Sequence, residues 1–384
     1  MRVAVVHDWL YTIGGAERVL QAILQCYPDA DVFCLFDFLT PEDRAKIGIR
    51  STQSSFLQTL PFVRRSHRPF LPLLPLAIEQ LDLSAYDLII SSSYAVAKGV
   101  ITGPDQVHVS YVHSPIRYAW DLQHTYLARN TNAITTFFAR PLLHYLRMWD
   151  TRTAHGPDLL IANSHFVARR IRKIYGRDAK VIYPPVDLSN GETQASERGH
   201  FLAASRLVPY KNIDAIVRAF ADLPDEQLIV AGDGPEAKRL RAIATPNVSF
   251  AGFVSDQRMR ELMGTAHAFI FAAEEDFGII SVEAQSEGTP VLALGRGGSC
   301  ETVVNGQTGL FFDEPTPEAI AATVRQFRSQ AQQFSAADCR DHASRFSAER
   351  FRRDLRACVT EAIAKYRASV TGYIPREKFL MEGG

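Results

Sequence analysis

The sequence predicts an α/β protein built from two doubly wound parallel sheets that face a central cleft. Three observations lead to this. Short apolar runs alternate with amphipathic stretches of helical period along nearly the whole chain. The alternation stops once, at Pro184-Pro185 and the polar stretch 189–199, and then starts again. A length of 384 residues fits two domains of ordinary size. The expected domains are 1–183 and 184–355, with 356–384 as a terminal helix able to cross back to the first.

In the first half, residues 2–6 are expected to form a strand and 7–15 a loop. A helix follows over 16–26, with Ala16, Val19, Leu20, Ile23 and Leu24 on one stripe. Further strands are expected at 31–36, 88–91, 107–112 and 159–163, and a helix of mixed basic and apolar character through 140–153. The second half gives strands at 200–204, 227–231, 248–250, 268–273, 290–294 and 310–312. Long amphipathic helices occupy the chain from Pro317 on.

Net charge is zero overall but uneven. Residues 1–180 carry about 20 Lys and Arg against 15 Asp and Glu, and the remainder is acidic by the same margin. The excess gathers in Arg64, Arg65, Arg68, Arg117, Arg129, Arg140, Arg147 and Arg152. Solvated helix faces explain it as well as a surface for anionic head groups or a pyrophosphate-bearing acceptor. No nucleic-acid partner is expected. Cys26, Cys34, Cys300, Cys339 and Cys358 form no C-x-x-C pair and read as reduced core cysteines. The first apolar run is too short for a signal peptide, and no run reaches the ~20 apolar residues that span a bilayer. A cytoplasmic protein is expected.

The chemistry gathers at expected strand ends. Glu275-Asp276-Phe277-Gly278 follows one strand, and Ile279-Ile280-Ser281-Val282-Glu283 opens the next helix. One acid on a loop, one on a helix, and backbone amides between them suit a polyhydroxylated, phosphorylated ligand. Arg206 and Lys211 follow the strand ending at Ala204, with Asn212 as a helix cap. Two cations at one strand end can hold a diphosphate and balance the charge on a departing nucleotide. Gly232-Asp233-Gly234-Pro235 and Phe253-Val254 end two more strands and would border a nucleoside through main-chain groups. In the first half, Gly14-Gly15 precedes a helix and lets a phosphate approach. His113 ends a strand in aromatic and basic company.

Other chemistries fit poorly. Asp37 stands where a dinucleotide-binding acid would stand, but G-x-G-x-x-G is absent and the first loop is too long. Asp29-Ala30-Asp31 leads into a strand and reads as a turn, and no His/Cys cluster has zinc spacing. No Walker loop or G-x-S-x-G elbow occurs. Asp8 sits at a strand end without an assignable role. No metal and no cofactor is expected.

Taken together, Gly14-Gly15, His113, Arg206 with Lys211, Gly232 to Pro235, Glu275 to Glu283 and Gly288-Thr289-Pro290 resemble the family 4 retaining glycosyltransferases of the GT-B fold. His113-Ser114-Pro115-Ile116-Arg117-Tyr118-Ala119-Trp120-Asp121 and Gly295-Arg296-Gly297-Gly298 are similar to bacterial mannosyltransferases of O-antigen and exopolysaccharide assembly. The resemblance implies metal-independent transfer of a hexose from a nucleotide sugar, with GDP-mannose the expected donor. Arg206 and Lys211 would bind the diphosphate, and Glu283 the ribose hydroxyls. Glu275 with the amides of Phe277, Gly278 and Ile279 would hold the donor sugar. Gly15 would approach the diphosphate, and His113 would contact the transferred sugar. Ser114, Arg117 and Tyr118 would face the acceptor, a polyprenyl-diphosphate-linked or other saccharide. Asp276 departs from the glycine that many members carry there, which adds a charge beside the sugar site.

Residues 62–76 and 137–145 mix arginines with apolar and aromatic side chains. They suit a bilayer interface, giving peripheral association with an anionic membrane at its inner face, or equally a core helix with a basic edge. A UDP-sugar transferase, a sugar-nucleotide epimerase and a non-catalytic nucleotide-sugar binder are the competing functions. Intact Glu275, Glu283, Arg206 and Lys211 argue against the last.

Overall fold

The computed structural model describes residues 1–123, 127, 133–188 and 198–369. Arg129, the polar stretch 189–197 and the end of the expected terminal helix lie outside the described residues. The chain folds as two units. The first takes the described residues of Met1–Ala162, Ala168–Ile182 and Arg352–Gly384, and the second takes Asn163–Val167 and Tyr183–Phe351.

The first unit holds a seven-stranded, fully parallel sheet. Its strands are β1 (Val3–His7), β2 (Asp31–Cys34), β3 (Thr52–Ser54), β4 (Leu88–Ser93), β5 (Val107–Val112), β6 (Leu159–Ala162) and β7 (Lys180–Val181). The order across the sheet is β3-β2-β1-β4-β5-β6-β7. β4 and β5 are buried along their whole length, as expected of strands covered on both faces. The edge strands β3 and β7 escape the sequence reading. Thr52-Gln53-Ser54 and Lys180-Val181 are too short and too polar to give an apolar run. The helix expected through 140–153 extends back to Ala133, with Pro141 inside it. The helix Ala348–Ser369 joins this unit from its fifth residue, Arg352, on: Arg352 bonds to Gln25, and Lys180 pairs with Glu361.

The second unit holds β8 (His200–Ala204), β9 (Leu228–Ala231), β10 (Val248–Gly252), β11 (Ala266–Phe271), β12 (Val291–Leu294) and β13 (Gly309–Phe312), all parallel. Their order is β10-β9-β8-β11-β12-β13, the doubly wound arrangement. The strand expected at 268–273 is shifted to Ala266–Phe271. Ala272 and Ala273 stay buried but leave the ladder, so burial alone placed the end two residues late.

Each sheet has one point where the winding reverses: between β1 and β4 in the first, between β8 and β11 in the second. Loops leaving the carboxyl ends of those strands diverge and leave a crevice, which is where open α/β sheets bind ligands. Cys26, Cys34 and Cys339 are buried free thiols, and burial pushes Cys34 and Cys339 up to about 12. Cys300 corrects the expectation of five core cysteines, since it is exposed.

Candidate functional site

In the second unit the reversal point gathers charge. Arg206 leaves β8 exposed, and Lys211 follows it on a turn. Glu275 follows β11, and its carboxylate forms an ion pair with Lys211 Nζ. The Lys211 ammonium also lies 5.5 Å from the centre of the Tyr210 ring and 5.9 Å from that of Phe271. Each face adds modest electrostatic support for the cation. Asn212 stands at the start of the helix Ile213–Ala219, but its side chain does not cap it. It donates instead to the Ala272 carbonyl at 2.9 Å, which ties the loop after β8 to the end of β11.

Gly278, in a left-handed conformation (φ 87°), starts the helix Ile279–Ser286. The first amides of any helix lack intrahelical partners, so this start can receive an anionic or hydroxyl oxygen. Glu283 lies half-buried on this helix. The Phe277 side chain points the other way, into a cluster with Val186, Val282, Ala343 and Phe346. That anchor ties the loop to this cluster. A second constraint comes from the loop after β12. The Gly298 amide donates to the Glu275 carbonyl at 2.8 Å. A Cβ on Gly298 would lie 2.6 Å from both the amide nitrogen and the carbonyl oxygen of Phe277. Only glycine lets the two backbones stack this closely.

Gly232-Asp233-Gly234 follows β9 against the loop after β8. Leu207 N donates to Asp233 O at 2.9 Å, and the Asp233 carboxylate accepts from the Gly234 amide at 2.7 Å. Phe253, after β10, is 86% exposed, and Val254 beside it is half-buried. Thus Arg206, Lys211, Asp233, Gly234, Phe253, Val254, Glu275, Phe277, Gly278, Ile279 and Glu283 all follow carboxyl ends of the second sheet's strands.

In the first unit Gly14 and Gly15 are exposed at the start of the helix Gly15–Cys26. His113, half-buried at the end of β5, takes a hydrogen bond between Nε2 and Ser92 Oγ of 2.9 Å. Burial, and secondarily the neighbouring His7, push its pKa down to about 3, so the ring is neutral at physiological pH. Ser114, expected to face the acceptor, is buried, and its hydroxyl accepts from Arg170 at 2.6 Å. Arg170 also pairs with Asp121 at 2.5 Å, so Ser114 and Asp121 are held by one guanidinium. Arg117 and Tyr118 are half-buried.

Several residues lacked a sequence signal. The Asp8 carboxylate accepts four successive backbone amides, those of Tyr94, Ala95, Val96 and Ala97, at 2.6 to 2.9 Å. It thereby shapes the turn after β4. Lys98 and Asp150 form a fully buried ion pair, and Asp150 also accepts from Trp120 Nε1 at 2.7 Å and Tyr175 Oη at 2.9 Å. Asp37 serves structure, accepting from Arg44 at 2.8 Å, Thr52 at 2.9 Å and the Leu39 amide at 3.0 Å. The partners of Asp8 and the Lys98 partner of Asp150 are remote in sequence, so no local pattern pointed to them. Among the described residues no group of three or more His, Cys, Asp or Glu is placed to hold a metal ion. Among them, too, no helix is long and apolar enough to cross a membrane.

Comparison with known proteins places these features in a family. The family described as Glycosyltransferase Family 4 matches residues 13–190, and that described as Glycosyl transferases group 1 matches residues 188–344. The D-inositol 3-phosphate glycosyltransferase of Mycolicibacterium vanbaalenii is 29% identical over 70% of this chain and 68% of its own length. That of Mycolicibacterium gilvum is 32% identical over 56% of this chain and 54% of its own. A GDP-mannose-dependent alpha-(1-6)-phosphatidylinositol monomannoside mannosyltransferase of Mycobacterium tuberculosis is 27% identical over 46% of this chain. The chain spans about half the length of these last two relatives, 54% of each. In fold, it is similar to Anabaena HepE solved with UDP, at a TM-score of 0.71 and 21% identity, covering 94% of this chain and 100% of that one. The sucrose-phosphate synthase of Thermosynechococcus elongatus gives 0.67 at 16% identity, covering 95% and 100%. The two matched families run in tandem over residues 13–344, and the two doubly wound sheets follow the same division; the chain belongs to the family 4 glycosyltransferases of the GT-B fold.

Proposed function

We propose that this protein transfers mannose from GDP-mannose, with retention of configuration and without a metal ion, to a lipid-linked saccharide in surface-polysaccharide assembly. The observation that carries the reading is the charge arrangement at the reversal point of the second sheet. Arg206 and Lys211 follow β8, Glu275 follows β11, and the helix start at Gly278 lies in the same loop. That set suits a sugar diphosphate: cations for the two phosphates, a carboxylate and amides for hydroxyls. In the reaction the bond from the sugar C1 to the diphosphate oxygen breaks, and a bond from C1 to the acceptor oxygen forms. The acceptor proton passes to the leaving phosphate. Arg206 and Lys211 balance the charge that grows on that phosphate, and the remaining groups hold the reactants in line.

Mannose is favoured by the GDP-mannose-dependent mannosyltransferases among the relatives and by Gly295-Arg296-Gly297-Gly298. A UDP-sugar is the second reading, favoured by the UDP bound in the similar Anabaena structure. Peripheral membrane contact on the inner face is supported by exposed Phe62, Leu73 and Leu76 beside exposed Arg64, Arg65 and Arg68, and by exposed Phe137 and Tyr145 near Arg140.

Donor binding followed by thermal shift with GDP, UDP, ADP and their common sugars tests the donor. Stabilisation by GDP and GDP-mannose alone supports the reading. A UDP preference replaces mannose, and no response to any nucleotide removes the transferase assignment. Failure to pellet with anionic liposomes at low salt removes the membrane contact.

A further inference from the structure

Beneath the glycine loop of the first unit, a chain of buried polar groups runs from Glu17 to His113. Glu17 Oε2 accepts from the Gly14 amide at 2.8 Å. Its other oxygen, Oε1, lies 3.4 Å from His7 Nε2. His7 Nδ1 is 3.1 Å from Ser92 Oγ, and Ser92 Oγ is 2.9 Å from His113 Nε2. His7, Glu17 and Ser92 are all buried. Tyr94 packs edge-on against both imidazoles, with ring centres 5.8 Å from His7 and 6.0 Å from His113.

A helix cap explains only part of this. The first contact is half of a capping box, in which a third-position glutamate returns to the cap amide. That uses one carboxylate oxygen. The second oxygen is not needed for the cap, and it meets the imidazole that continues the chain.

With His7 neutral, proton counting sets the direction of every bond in the chain. A carboxylate only accepts, so Glu17 requires the His7 proton on Nε2. A neutral His7 then carries its lone pair on Nδ1, and Ser92 must donate its single proton there. The Ser92 oxygen is left as an acceptor towards His113, which places the His113 proton on Nε2. The lone pair of His113 is thereby on Nδ1. A nitrogen of that kind accepts from a hydroxyl and repels a phosphate oxygen, which has no proton to give.

We propose that Glu17 is a positioning residue that fixes the Gly14 loop and, through His7 and Ser92, sets the tautomer of His113 so that Nδ1 accepts a hydrogen bond from a sugar hydroxyl. The sugar in this statement rests on the proposed function; the tautomer does not. The relay makes one carboxylate responsible for both ends of the first unit's ligand-facing edge.

Nitrogen-15 imidazole shifts of the full chain at neutral pH, with labelled histidine, test the relay. His7→Gln and His113→Gln assign the two signals by their disappearance. Both rings of the unaltered protein are expected as single neutral tautomers with the proton on Nε2. Glu17→Ala is expected to lose the single-tautomer pattern at both rings, and Ser92→Ala to lose it at His113 while keeping it at His7. A proton on His113 Nδ1, or a doubly protonated His7, which would make Ser92 accept from His7 and donate to His113, overturns the proposal. So does a folded Glu17→Ala with both patterns intact. If Glu17→Ala does not fold, the unaltered protein and Ser92→Ala still decide. Donor binding by the unaltered protein is read separately, and its absence removes the proposed function without touching the tautomers.

Discussion

Lys211 and Glu275 form an ion pair across the reversal point of the second sheet, with only 13% and 24% of their side chains exposed. The two groups expected to act on different parts of a donor thus neutralise one another when no ligand intervenes. A diphosphate must compete with the carboxylate for the ammonium. Glu275→Gln removes the competitor, so it is expected to bind nucleoside diphosphate at least as tightly as the unaltered protein while transfer falls. Lys211→Ala is expected to lose about 10²–10³-fold in turnover, the scale of one stabilising group removed from a leaving charge. Its stability should fall as well, because the largely buried Glu275 carboxylate loses its counter-charge. Titration calorimetry with GDP and UDP beside turnover measures both. Weaker nucleotide binding by Glu275→Gln would overturn the competition.

Gly298 makes a prediction about rigidity. A methyl group there meets the Phe277 backbone at 2.6 Å, and backbone cannot swing aside as a flexible side chain does. Gly298→Ala should push the 275–278 loop away from the loop after β12. Overpacking of this kind costs about 1–3 kcal/mol. Thermal melting is expected to fall accordingly, and the GDP-induced rise in melting temperature to shrink with it. An alanine variant with the normal melt and normal nucleotide response would mean that the loops separate freely.

These two sites show what the sequence could and could not disclose. Buried parallel strands are apolar runs, so β4, β5, β8 and β12 were legible, and residues just beyond them fell at strand ends by counting. Lys211 and Glu275 were legible for that reason, although their pairing was not. Asp8 was visible only as an acid after a strand. Its four amide partners lie 86 to 89 residues away and present no side-chain signature. Asn212 shows the opposite failure: the local rule expects a cap, but a bond to Ala272 O, 60 residues away, takes the side chain. β3 and β7 were illegible because two or three polar edge residues carry no periodicity.

Four wholly or partly buried histidines set the response to acid. Burial lowers His108 and His113 to about 3, and His67 and His267 to about 4, against an ordinary value near 6.5. Below about pH 6.5 the unfolded chain takes up protons that the native chain refuses until near pH 3 to 4. Their contribution to stability is therefore complete above about pH 6.5 and is lost as pH falls through that window. The fully buried His108 contributes a slope approaching about 1.4 kcal/mol per pH unit, and the part-exposed rings contribute less because solvent screens them. Urea midpoints at pH 7 and pH 5 should show the loss. His108→Gln, which can still bond to Ser91 Oγ in place of the 2.8 Å imidazole contact, should flatten it. A midpoint independent of pH would mean that these rings protonate in the native state.

The buried pair Lys98–Asp150 links the turn after β4 to the 113–121 segment, because Asp150 also receives the Trp120 indole proton. Two charges out of water are held only by mutual attraction and by hydrogen bonds to the remaining lone pairs. Here those bonds come from Trp120 and Tyr175, while Lys98 also donates to the Ala95 carbonyl at 3.2 Å. Lys98→Met leaves Asp150 charged and buried against two neutral donors, which should cost about 3–5 kcal/mol. Lys98→Met with Asp150→Asn removes both charges and keeps an acceptor for Trp120, so it should recover a large part of that loss. The urea midpoints of the two variants decide between an ion pair held for its charge and one whose place is simply filled. Equal midpoints in the single and double variants would show that the uncompensated carboxylate is not what destabilises the protein, and that the contact of the Lys98 ammonium with the Trp149 and Tyr175 rings carries the effect instead.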